Sequence, residues 1–92
     1  MLNLTHNNVT IPVLIVDNNI LFNLFELIIA TNIVIPSNMP RDNIVTIKEE
    51  NYISMDGLVQ LFSILGTAES AFLLFLCYSY IASLANQTAK NN

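Results

Sequence analysis

From Ser70 to Ala89 the chain runs for 20 residues without a charged side chain. Its centre, Ala71 to Ala85, reads AFLLFLCYSYIASLA. No other segment constrains the fold as much, because a helix that is apolar all round has to be covered over most of its circumference. Three readings are open: a helix buried in a core, a helix shared between a core and a partner, and a membrane span. A span needs about 20 mainly apolar residues, whereas the strongly apolar part here is about 15 long and contains Ser79, Ser83, Tyr78 and Tyr80. Lys90 is its one basic flank, weak orientation chemistry for a span. Burial combined with an interface is the expected reading.

Composition points the same way. The chain has 92 residues, 53% of them hydrophobic and 11% charged, against roughly 25% charged in ordinary globular chains. A domain this small hides only part of its surface, so some apolar area is left for a partner, a second copy or lipid. The expected organisation is one domain over residues 1–92, with an ordered core from about residue 9 to 86 and polar termini.

The pass along the chain predicts an α+β fold, in which helix is the majority and a small, mostly antiparallel sheet packs against three helices. Met1 to Asn8 reads as a polar start. Val9 to Val16 (VTIPVLIV) is rich in β-branched residues and reads as a strand, with Pro12 placing it at an edge or a start of the sheet. Asp17 is the expected cap of a first helix, Asn18–Thr31, on the stripe Ile20, Leu21, Leu24, Leu27 and Ile28. Pro36, Ser37, Asn38 and Pro40 mark a loop. Ile44 to Ile47 and Tyr52 to Ile53 are strand candidates around a turn at Lys48-Glu49-Glu50-Asn51. Ser54 is placed to cap Met55–Leu65, Gly66 to end it, and Thr67 to cap Ala68–Asn86. The last two helices then form a helix-turn-helix hairpin, followed by a polar tail from Gln87.

The chemistry-bearing residues do not assemble into a catalytic set. The one histidine, His6, lies in the polar start, and the one cysteine, Cys77, sits among Leu74, Leu76 and Ile81. A lone cysteine forms no intrachain disulfide and no Cys-based metal site. Asp17, Asp56 and Glu69 are explained by helix starts, Glu49 and Glu50 by a turn. Gly57 and Gly66 are the only glycines, too few for a phosphate loop. No enzyme, cofactor or metal is expected. The net charge is −4, and Arg41, Lys48 and Lys90 are the three basic residues, so clustered phosphate neutralisation is disfavoured. The start lacks the basic and apolar regions of a signal peptide, so an intracellular location is expected. The wealth of Asn with Ile, Leu and Phe is of the kind an AT-rich viral or parasitic genome encodes.

The stretch Tyr52 to Leu84 resembles the second half of the Bro-N domain of baculovirus repeated ORF proteins and phage antirepressors. Ile53, Ser54, Gly57, Leu58, Gln60 and Leu61 match the family's strand end, cap and Gly-Leu helix start. Phe72, Phe75 and Leu76 stand where its next helix carries an aromatic and aliphatic row. Val13 to Asp17 looks like its strand–Asp–helix opening. The resemblance covers roughly residues 10–85 and implies a DNA-contacting regulator. Two departures weaken that implication: Ile64-Leu65-Gly66-Thr67 replaces the family's basic turn, and the chain has no tryptophan.

These readings converge on a non-catalytic viral or phage-type accessory protein that works by protein–protein contact and self-associates. A Bro-N-like nucleic-acid binder and a membrane-anchored protein using helix 68–86 are the alternatives. On the last helix, Phe72, Phe75, Leu76 and Leu84 are expected to pack on Leu58, Leu61 and Phe62, leaving Leu74, Tyr78 and Ile81 as the candidate interface.

Overall fold

The structure, a computed structural model, describes residues 2–90, with side chains described for residues 2–87. It is an α+β fold: one five-stranded antiparallel sheet and three helices. The strands are β1 (Leu2–His6), β2 (Val9–Val16), β3 (Asn19–Asn23), β4 (Ile44–Ile47) and β5 (Glu50–Ser54). The helices are α1 (Leu24–Thr31), α2 (Met55–Leu65) and α3 (Ala68–Lys90). With lengths of 8, 11 and 23 residues, the helices stop short of half of the 92 residues, so the expected helical majority is not reached.

Three two-residue turns organise the sheet. Asn7-Asn8, Asp17-Asn18 and Lys48-Glu49 all have positive φ at both positions, between 50° and 68°. That is the conformation a tight hairpin needs to match the strand twist. Asn and Asp tolerate it well, because their short polar side chains bond locally.

This turn chemistry corrects several sequence expectations. The polar start is a strand: Leu2 and Leu4 alternate with Asn3 and Thr5, and β1 pairs with β2 from Leu2↔Val13 to His6↔Val9. Leu4, 8% exposed, belongs to the core, which therefore begins before residue 9. Asp17 does not cap a helix. It turns the chain into β3, where Ile20 faces Ile15 and Phe22 faces Val13. The first helix therefore starts at Leu24 rather than Asn18, and its cap is Asn23, whose Oδ1 accepts the Glu26 N–H at 3.1 Å. The run NILFN carries apolar residues that satisfy a helical stripe and a strand alternation equally, and the turn decides between them. The last helix continues to Lys90, four residues past the expected end at Asn86. The remainder of the expected polar tail, residues 91 and 92, lies outside the described residues.

The strand order is β1-β2-β3-β5-β4. β2 is therefore interior, not an edge, despite Pro12. The ladder between β2 and β3 ends at Val13↔Phe22, and Pro12 lies one residue beyond it. Residues flanking a two-residue turn form a hydrogen-bonded pair, so alternation points the Pro12 nitrogen toward β3, where no ladder bond is left to lose.

One sheet face carries Leu4, Ile11, Val13, Phe22 and Ile53 into the core. Leu24, Leu27, Leu58, Leu61, Leu73 and Cys77 close it from the three helices. Gly57 lets α2 approach: a Cβ there would stand 2.6 Å from Ile53 Cγ1 and 2.9 Å from Asn43 Cβ. Ser54 caps α2 by accepting the Gly57 N–H at 3.2 Å. Gly66, at φ 59°, ends it and returns its N–H to the Phe62 carbonyl at 2.8 Å.

Candidate functional site

Two surfaces combine exposure with chemistry. The first is α3. Thr67 and Ser70 tie its start reciprocally: the Ser70 N–H donates to Thr67 Oγ1 at 3.2 Å, and the Thr67 N–H to Ser70 Oγ at 3.1 Å. From there the buried seam is Ser70, Leu73 and Cys77, spaced by three and four as one helix face requires. Tyr80 adds an edge-on contact with Phe22, ring centroids 6.2 Å apart.

The other side of α3 carries Phe72, Phe75 and Tyr78, which are 43%, 66% and 53% exposed. Exposed Ala71, Ser79 and Ala82 lie between them. This reverses the expectation for Phe72 and Phe75, which point outward, as does Phe62 of α2 in part; Leu76 packs partly against the core as expected, and Leu84 is half-buried. The seam uses smaller side chains because Ser70 and Cys77 let the helix come close to the sheet, and the large rings are left outside. Of the three residues expected at an interface, Tyr78 is exposed, while Leu74 and Ile81 are half-buried against the core.

Burial pushes the Cys77 thiol up to about 12, which keeps it a neutral core group rather than a nucleophile at ordinary pH. Burial also raises the Tyr80 hydroxyl. His6 does not meet Cys77. Its ring packs on Phe72 instead, centroids 5.1 Å apart and tilted by 47°. No group of three or more His, Cys, Asp or Glu is arranged to hold a metal ion among the described residues.

The second surface is a groove of about 350 Å³ between the start of α1 and the β4–β5 turn. Leu24, Phe25 and Ile28 line it from α1, with Asn23 at its end and Glu49, Glu50 and Asn51 opposite. Phe25 is 67% exposed. The Tyr52 hydroxyl donates to Glu50 Oε2 at 3.5 Å, and Thr46 Oγ1 donates to Asn51 Oδ1 at 2.8 Å. Sequence reading missed this groove because Asn23 lay inside an expected helix. The available signal was the Asn at the junction of the alternating and the helical pattern.

The segment Ala68–Gln87 is the one described helix long and apolar enough to cross a membrane, and 17% of its 18-residue window is buried in the fold. Comparison of the chain with protein-family models, with curated proteins and with solved structures returns no match.

Proposed function

We propose that the protein is a non-catalytic regulatory accessory protein of viral or phage type, which acts through protein–protein contact and self-associates through the outer face of α3. The observation that carries this reading is Phe75: two-thirds exposed in the middle of a helix that bears no charge from Ser70 to Ala89. Contiguous apolar surface of that kind on a small protein marks an interaction site. The face is also complementary to itself. Phe75 and Ala82 are seven residues, or about two turns, apart on one strip. A two-fold antiparallel pairing centred between Tyr78 and Ser79 sets each Phe75 over the small Ala82 of the other copy. A closed isologous contact of this type limits assembly to a dimer. Sedimentation equilibrium over a range of protein concentrations tests the reading: a monomer–dimer curve supports it, and a monomer at high concentration removes it.

A membrane span by α3 would draw Leu73 and Cys77 out of the core and strip Tyr80 from Phe22. The apolar sheet face that these residues cover would then lose that cover. A Bro-N-like nucleic-acid contact is the second reading. It is favoured by the order β5, Ser54 cap, Gly57 and α2, the features that carry the family resemblance. Arg41, Lys48 and Lys90 are the basic groups it would rely on, and the first two are exposed. A gel shift at low salt, lost steeply as salt is added, would support it over the first reading.

A further inference from the structure

The groove between α1 and the β4–β5 turn holds a donor that the fold does not use. Asn23 is 2% exposed. Its Oδ1 accepts the Glu26 N–H, which fixes the orientation of the amide. Its Nδ2 makes no hydrogen bond among the described residues, yet is not sealed from solvent. Asn23 is itself one of the residues that line the groove. A nearly buried donor in this position is completed by water or by an acceptor on a ligand. Beside it stand the exposed ring of Phe25 and the exposed carboxylates of Glu49 and Glu50.

We propose that this groove receives a basic segment of a partner protein. A main-chain carbonyl of the segment accepts from Asn23 Nδ2. An Arg or Lys side chain runs across Phe25, where a cation is attracted to the ring face, and ends on Glu49 and Glu50. Charge complementarity identifies the occupant. A nucleic acid or an acidic peptide would meet two carboxylates. A bare metal ion would meet an amide donor and the apolar side chains of Leu24 and Ile28. A second copy of the chain, with three basic residues in all, has little to offer. Lys48 neighbours the two acids in the turn but does not line the groove. None of the lining residues belongs to α3, so this surface is distinct from the proposed self-association face.

The test is a titration of the full isotope-labelled chain with the peptide acetyl-Leu-Arg-Leu-amide, followed by amide shifts. The same peptide with Gln or Glu in place of Arg is titrated in parallel. Saturable shifts confined to Asn23 to Ile28 and Glu49 to Asn51, and seen with the Arg peptide alone, support the proposal. The double variant Glu49→Gln, Glu50→Gln should then bind about tenfold more weakly or worse, as expected for the loss of charge-assisted hydrogen bonds. Asn23→Asp keeps a good helix cap but replaces the donor by an acceptor. Its binding should fall even though the groove gains a negative charge, which simple charge attraction would not produce. Phe25→Ser, at a ring already 67% exposed, should also weaken binding and leaves the cap intact. Equal shifts with Arg and Gln peptides, tighter binding by Asn23→Asp, shifts centred on Phe72, Phe75 and Tyr78, or no saturation would each overturn the proposal.

Discussion

Leu73 and Phe75 are two residues apart on α3, yet they should respond oppositely to the same truncation. Leu73 is 3% exposed and part of the core, so Leu73→Ala removes buried methyl groups and leaves a cavity, at a cost of about 2–5 kcal/mol. Phe75 is 66% exposed, which for a side chain of about 200 Å² leaves ~130 Å² to bury against a second copy. Two copies bury ~260 Å², and at ~25 cal/mol per Å² the gross gain is ~6 kcal/mol per dimer. That is an upper figure, because ordering the rings offsets part of it. With about one- to two-thirds of the gross gain left as net gain, ~2–4 kcal/mol, Phe75→Ala should weaken the dimer by between about 30-fold and 1,000-fold. The monomer should be unharmed, since Ala is the better helix former by a few tenths of a kcal/mol, ~0.5 at most. Urea unfolding at a concentration where the protein is monomeric reads the first quantity, and sedimentation equilibrium reads the second. If Phe75→Ala lowers monomer stability as much as Leu73→Ala does, the outward placement of Phe75 is wrong. If it leaves the association constant unchanged, α3 is not the dimer surface.

Gly57→Ala should lower stability by about 1–3 kcal/mol through overpacking, because its Cβ would stand 2.6 Å from Ile53 Cγ1. In an open helix the same change is favourable by ~1 kcal/mol, so thermal melts of the variant decide the sign. Replacing Lys48-Glu49 by Asn-Gly should stabilise the chain by about 1 kcal/mol, because both positions have positive φ and Asn-Gly favours that turn. An unchanged melting temperature would mean that the turn carries no strain. Cys77 should make stability fall in alkali. Its pKa rises from 9.0 to about 12 on folding, so no effect appears below pH 9. Above that the unfolded thiol ionises first, and ~1.4 kcal/mol is lost per pH unit, up to ~4 kcal/mol near pH 12. The wild-type and Cys77→Ala proteins, unfolded in urea from pH 8 to 11, should therefore converge in stability as pH rises. Parallel curves would show that Cys77 is not buried.

The second half of the chain was far more legible than the first. Ser54, Gly66 and Thr67 are capping residues with one structural meaning each, and they mark the bounds of α2 and the start of α3 as observed. In the first half, Asp17 had two meanings. A helix cap and the first residue of a left-handed turn favour the same side chain, and only the pairing of Ile20 with Ile15 settles the choice. Leu2 and Leu4 were too few to outweigh the asparagines around them, although the strand they form completes the sheet. The inner face of α3 was illegible for a different reason. Nearly every position is apolar, so periodicity carries no phase, and the phase is set by Ser70 and Cys77, the small residues that permit close approach. The Asn23 groove depends on a strand-to-helix junction, and such boundaries follow from pairing across the sheet more than from local pattern.

The position of α3 in the chain has a consequence for how the protein comes into being. The three tight hairpins are local and close in microseconds. The core face they build, with Phe22 and Ile53 paired across β3 and β5, is covered by α1 and α2 and, last, by Leu73 and Cys77 of α3. At a synthesis rate of about 5–20 residues per second, Cys77 is made roughly 1–5 s after Ile53. Until α3 docks, a paired sheet has nothing from that helix over part of its apolar face. Each newly made molecule thus passes through a sticky stage before α3 docks. During that stage the cell's chaperones, or a neighbouring nascent copy, compete with α3 for the same surface.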